Sequence, residues 1–290
     1  MFKRVVIMGV GLIGGSLALA LKSRGLVKEI VGISRSPDTL ALAQQRGVID
    51  HGSTALDQQS IDQADLVFVA TPLGAFPAVF SQLATLTLPE NLIITDGGSA
   101  KGYVIEQAQK AFGVVPPRLV PGHPIAGKEL SGVGAAEASL YEDHRVILTP
   151  VDETDTAATE TVEQMWKSVG ACVEIMRPQY HDEVFAATSH LPHLLAYLLV
   201  DLLNDHPELG NVFKYTAGGF RDFTRIASSD PVMWRDIAEA NAPAIAKWLK
   251  NYRQELDRMI EAVERHDQSA LHELFSAAKT ARDQHIVKKS

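Results

Sequence analysis

The chain has 290 residues, 46% of them apolar, which is enough for two folded domains with a substantial core. A net charge of −8 argues against a general nucleic-acid binder. The single cysteine, Cys172, excludes an intrachain disulfide and fits a reducing cytoplasm, where the chain is expected.

The basic start Lys3-Arg4 leads into apolar residues 5–8, and glycines follow at once. This reads as a first strand and not as a signal peptide. Residues 13–24 form a helical pattern closed by Gly25, a good residue for the position after a helix. Strands are expected over 29–34, 65–71, 92–96, 118–121, 146–149 and 172–176, with Cys172 as a small buried hydrophobe in the last. Strands alternating with helices imply a mostly parallel sheet with helices on both faces. After Arg177-Pro178 the pattern changes, and no strand is expected from Gln179 onward. Residues 184–201 are apolar nearly all round, the mark of a helix buried on most sides. No apolar run is expected to reach the roughly 18–20 residues that span a bilayer. Pro192 removes a backbone donor from this run and predicts a kink. Asp230-Pro231 reads as an N-cap followed by proline at the first helical position. Ile245, Trp248, Leu249, Tyr252, Leu256, Met259, Ile260 and Val263 recur with a 3.6-residue period along a long helix.

Gly9-Val10-Gly11-Leu12-Ile13-Gly14 lies between the first strand and the first helix. In that context the spacing signals a dinucleotide site. Gly9 permits the turn, Gly11 lets the backbone approach a pyrophosphate, and Gly14 lets the helix pack on the sheet. The helix N-terminus favours the anion. Leu12, Ile13 and the pair Thr71-Pro72 complete the expected contacts. The fold class is therefore an α/β Rossmann-type dinucleotide-binding domain, residues 1–177, followed by an all-α domain, residues 178–290, whose long apolar stripe suits it for dimerisation. The second strand ends in Ser34-Arg35-Ser36 with no acid before Asp38. Hydroxyls beside a guanidinium suit a 2′-phosphate, which favours NADP over NAD. The alternative is that Arg35 stacks on the adenine and either cofactor binds.

Two motifs follow strands and belong at the carboxyl ends, where such sheets hold ligands: Asp96-Gly97-Gly98-Ser99-Ala100-Lys101 and Gly122-His123-Pro124. His123 sits in an extended turn beside the cofactor site, a placement suited to a general base for alcohol oxidation. In Ser189-His190-Leu191-Pro192-His193, the two histidines are three apart. A metal would need a further ligand, and no metal site is expected. His193 reads as a core residue, and His190 stands open between the core and a role in the site.

Together, Gly122-His123-Pro124, Ser189-His190-Leu191-Pro192-His193 and Asp222-Phe223-Thr224-Arg225 resemble the prephenate/arogenate dehydrogenase family, including its cyclohexadienyl members, over essentially the whole chain. The resemblance implies that His123 accepts the proton of the ring hydroxyl and that Ser99 orients both. It implies that Arg225 binds a substrate carboxylate and that His190 lies on the substrate or its pocket. Glu129 and Asp222 match acids in an ionic network near that arginine. Trp234 matches a tryptophan that in relatives arrives from the partner subunit. The implied reaction is oxidative decarboxylation of prephenate or arogenate by a homodimer using NAD or NADP, with no nucleic-acid or membrane partner. The rival reading is another two-domain dehydrogenase, such as one for 3-hydroxy acids.

Overall fold

The computed structural model describes residues 2–128, 130–206, 208 and 210–286. In chain order, the first part runs β1 (Phe2–Met8), α1 (Leu12–Ser23), β2 (Val27–Ile33), α2 (Pro37–Gln45), β3 (His51–Ser53), the short α3 (Gln58–Ile61) and β4 (Leu66–Val69). A 3-10 turn (Leu73–Ala75) leads into α4 (Phe76–Ala84), β5 (Ile93–Asp96), α5 (Lys101–Phe112) and β6 (Leu119–Val120). Then come β7 (Gly122–Pro124), β8 (Arg145–Leu148), α6 (Thr156–Ser168) and β9 (Cys172–Ile175). The rest is helical: α7 (Pro178–Phe185), a π turn (Ala186–His190), α8 (Leu191–Asn204) and α9 (Gly218–Thr224). A 3-10 turn (Arg225–Ser228), α10 (Pro231–Ala240), α11 (Ala242–Glu264) and α12 (Gln268–His285) complete the described chain.

β1 to β6 form one parallel sheet in the order β3-β2-β1-β4-β5-β6. Apolar strands such as Leu66–Val69 are buried on both faces, as a parallel sheet requires. Separate apolar clusters lie on its two faces, one including Leu17, Leu21 and Trp166, the other Phe76, Phe80 and Val104. The strands at 146–149 and 172–176 form, but not in this sheet. They join β7 in a second sheet, ordered β7-β8-β9, in which β7 and β8 are antiparallel. Pro121 separates β6 from β7 and lacks the N–H needed to extend the parallel ladder, so the chain leaves one sheet for the other.

Three expectations are corrected. Cys172 is exposed, because β9 is an edge strand of the small sheet. The helical run Pro178–Asn204 is apolar and long enough by length and composition to cross a membrane. It is also not buried on most sides: Leu198 and Leu202 are open, because this chain alone does not cover that face. The disturbance expected from Pro192 takes the form of the π turn, in which the N–H of Leu191 donates to the carbonyl of Ala186.

The molecule divides into two compact units, Met1–Ala242 and Pro243–Ser290. In the second, Tyr252, Leu256, Met259, Ile260 and Val263 of α11 are exposed along the periodic stripe.

Candidate active site

The glycine loop has the geometry its sequence predicts. Gly9 lies at φ +94°, and a Cβ there would stand 2.7 Å from the carbonyl oxygen of Ala70. A Cβ on Gly14 would meet the Gly9 carbonyl oxygen at 2.2 Å, so α1 rests directly on the loop. At Gly11 nothing lies within 4 Å of that position, leaving the loop face open. Gly11 is also the N-cap of α1 and has no side chain with which to cap the first N–H groups of the helix. The Thr71 hydroxyl, just past β4, is buried without a partner. An open loop face, uncapped helical donors and an orphan hydroxyl fit a bound dinucleotide.

At the end of β2, the Ser34 oxygen accepts from the Ser36 N–H at 3.3 Å, and the Ser36 oxygen caps α2 by accepting from Thr39 at 3.2 Å. One lone pair of each hydroxyl is thus engaged by backbone, and neither of these bonds uses the O–H donor. Arg35 between them is exposed.

Two further turns meet this loop. A Cβ on Gly97 would lie 3.2 Å from Ile13 and 3.7 Å from Pro124. The turn carrying Ser99, the strand carrying His123 and the start of α1 are therefore neighbours. Ser99 is half-buried in the turn between β5 and α5. Below it, Lys101 and Asp96 form a fully buried ion pair, and the Lys101 ammonium also donates to the Gly122 carbonyl. Asp96 accepts from the Gly98 and Gly122 N–H groups as well, so one carboxylate ties both turns together. Burial pulls the Lys101 pKa down against the opposing pull of Asp96.

His123 lies in β7, opposite Ile147 of β8, and not in a loose turn. Its Nδ1 is 2.8 Å from Nε2 of His181, and His181 Nδ1 is 2.8 Å from the Asp182 carboxylate. An ionised carboxylate only accepts, so His181 carries its proton on Nδ1. Neutral His181 then accepts at Nε2, which places the His123 proton on Nδ1. The lone pair of His123 is left on Nε2. Asp182 is fixed in turn by the N–H groups of Lys101 and Gly102, at 2.7 and 2.8 Å. Burial works to raise the Asp182 pKa, but the hydrogen bonds from His181 and these amides outweigh it and the net shift is downward. Burial holds His123 well below the ordinary histidine value, and His181, Lys101 and His190 push the same way.

The two histidines of the π turn and α8 exchange the places expected of them. His190 is only 1% exposed, and its Nδ1 stands 3.3 Å from the Asn241 amide nitrogen. The same nitrogen donates to the Asp182 carbonyl at 2.8 Å. Burial brings the His190 pKa down to about 4. His193, read as a core residue, is half-buried and lies flat on the Trp234 ring at a centroid distance of 3.8 Å. The π turn adds a residue to the spacing between faces, which sends His190 inward. Trp234 is 7% exposed and packs within its own chain. Burial lowers the His193 pKa, and the positive charge of Arg225 pushes the same way. Arg225 opens the 3-10 turn after α9 and Asp222 lies on α9, both exposed. Glu129 lies outside the described residues.

His181, Asp182 and Asn241 have no counterpart among the residues expected from sequence. Their one sequence signal is an acid directly after a histidine at the start of a helix.

The family model for the prephenate dehydrogenase nucleotide-binding domain matches residues 17–175, and that for the prephenate dehydrogenase dimerization domain matches residues 177–277. This chain belongs to the prephenate dehydrogenase family. It is 38% identical to a prephenate dehydrogenase of Bacillus subtilis, over 96% of this chain and 75% of that protein. A cyclohexadienyl dehydrogenase of Zymomonas mobilis is 34% identical, over 97% of this chain and 95% of that one. The crystal structure of the prephenate dehydrogenase from A. aeolicus with hydroxyphenyl propionate and NAD+ superposes with a TM-score of 0.91 at 38% identity, covering 98% of both chains. Synechocystis arogenate dehydrogenase superposes with a TM-score of 0.81 at 28% identity, covering 98% of this chain and all (100%) of that one.

Proposed function

We propose that this chain catalyses the oxidative decarboxylation of prephenate or its amino analogue arogenate, giving 4-hydroxyphenylpyruvate or tyrosine. The observation that carries the chemistry is the series Asp182–His181–His123, which leaves a lone pair on His123 Nε2.

Gly9, Gly11, Leu12, Ile13 and Gly14 would hold the pyrophosphate of the dinucleotide, Ser34, Arg35 and Ser36 would take its adenosine side, and Thr71 and Pro72 would support its other end. When bound, NAD or NADP supplies the hydride acceptor. The hydroxyl donors beside Arg35 favour the 2′-phosphate of NADP. No residue of this chain has to supply or take electrons.

His123 takes the proton of the ring hydroxyl at Nε2 as the carbon–hydrogen bond is lost and the ring ketone forms. The new imidazolium donates from Nδ1 to His181, whose other nitrogen donates to Asp182, so the added charge meets a carboxylate two bonds away. The bond to the ring carboxylate then breaks, its electron pair enters the ring, and aromatisation drives the loss of carbon dioxide. Ser99 orients the hydroxyl, and Arg225 grips the side-chain carboxylate beside the Trp234–His193 stack. His190 backs the Trp234 ring, 6.1 Å away between centroids, and Glu129 and Asp222 are the acids that the family resemblance assigns to a network with Arg225. The enzyme is a cytoplasmic homodimer built on its helical half, residues 178–290, which fits the open α11 stripe.

Incubation with prephenate or arogenate and either dinucleotide tests this reading. Growth of reduced-nicotinamide absorbance with equimolar carbon dioxide is expected. Turnover of simple 3-hydroxy acids without turnover of either cyclohexadienyl substrate would overturn it.

A further inference from the structure

Helix α10 touches two parts of the site at once. On one side Trp234 stacks on His193 at 3.8 Å. On another, the Asp236 carboxylate accepts a hydrogen bond from the Gly74 N–H at 3.2 Å, in the turn that directly follows Thr71-Pro72. The fit at that turn is close: a Cβ on Gly74 would stand 2.6 Å from the Asp236 oxygen. Asp236 is 8% exposed, and its other oxygen accepts from Arg235 Nε and Nη2 at 3.0 and 2.6 Å. Ile237 belongs to the apolar cluster that contains Leu73 and Phe76, so the helix is packed into the nucleotide domain. The turn also reaches the chemistry: a Cβ on Gly98 would lie 2.9 Å from Leu73, and Ser99 is the next residue.

We propose that Asp236 is a positioning residue that couples the two ligand sites, holding the Leu73–Ala75 turn in register with the Trp234–His193 wall. This rests on the reading of the Thr71-Pro72 turn as part of the dinucleotide site. A ligand that settles the Trp234 wall settles α10. Through Asp236 it settles the turn on which the cofactor and the Ser99 segment lean. Linkage then requires each ligand to tighten the other by the same factor.

The test measures the dissociation constant of NAD+ by calorimetry, with and without saturating 4-hydroxyphenylpyruvate, which cannot be oxidised again. In the wild type the second ligand is expected to tighten the first about 5-fold or more. In Asp236→Ala that factor falls toward one. In Asp236→Asn most of it returns, because the amide oxygen still accepts from Gly74. Gly74→Ala, whose Cβ drives the two apart, reproduces the loss and serves if Asp236→Ala fails to fold. A wild type without coupling, an Asp236→Ala or Gly74→Ala protein with the full factor, or an Asp236→Asn protein as defective as Asp236→Ala overturns the proposal. Failure of the wild type to bind NAD+ or NADP+ at all strikes instead at the function proposed above.

Discussion

His181 stands between His123 and Asp182, 2.8 Å from each, and thereby decides which nitrogen of His123 carries a proton. Asp182→Asn puts this to the test. The amide can present an N–H to His181 Nδ1, which reverses both tautomers and moves the His123 proton onto the nitrogen that must act as base. We expect kcat to fall roughly 10²–10⁴-fold with little change in KM for the dinucleotide. His123→Asn is expected to fall as far. Near-wild-type turnover in either folded variant removes the histidine pair from the mechanism.

The pH profile follows from burial. His123 is held well below its ordinary value, so it remains a competent neutral base in mildly acidic solution. The acid limb of kcat/KM assigned to it is expected below 6.5, the ordinary histidine value. A limb at or above that value argues for another group.

Stability has its own pH dependence through His190, whose folded pKa of about 4 lies below the ordinary histidine value of 6.5. The unfolded chain therefore binds a proton in this window that the folded one does not. Stability is full above the unfolded value and is lost as pH falls from 6.5 toward 4, by up to roughly 3 kcal/mol for this one group. Melting temperatures recorded across that range should fall. Replacing His190 with glutamine should flatten the slope.

Arg225 is expected to hold a carboxylate through its planar fork. Arg225→Ala should raise KM for prephenate about 10–100-fold and spare KM for the dinucleotide. Arg225→Lys should recover part of that, since it restores charge without the fork. Normal prephenate binding by a folded Arg225→Ala protein would pass the role to Arg235, which is already tied to Asp236.

Arg35 separates the two cofactors. Arg35→Ala should raise KM for NADP about 10-fold and change that for NAD much less. Equal losses would mean that the guanidinium stacks on the adenine and does not read the phosphate.

Assembly can be weighed directly. Sedimentation at micromolar concentration should give a dimer, and Leu256→Asp with Ile260→Asp should shift it toward monomer. A monomeric wild type would refute the dimer.

The parts of this molecule legible in the sequence are those whose chemistry is local. The glycine loop declares itself through consecutive residues that must turn, approach an anion and start a helix. His123 stands out because glycine and proline flank it. The pairing of His123 with His181 spans 58 positions and exists only after β7 and α7 have packed. Nothing in either segment alone announces it. β7 was hidden because a three-residue strand containing glycine and proline carries no alternating pattern. Apolar content also misled in one place: in α8 it implied cover that this chain does not itself provide. His193 reads as a core residue in sequence because the ring it stacks on, Trp234, lies 41 positions away.

The π turn at Ala186–His190 holds one residue more than a turn of α-helix and takes it up locally. The helical turns before and after it can therefore keep the faces they would have in an unbroken helix, while residues inside the turn are displaced. Deleting one residue between 186 and 190 is expected to close the turn into regular α-helix, moving His190 and leaving His181, Asp182 and His193 on their faces. A second deletion has no extra residue to remove and would rotate α8 by about 100°. The run should therefore tolerate the loss of one residue here and not of two.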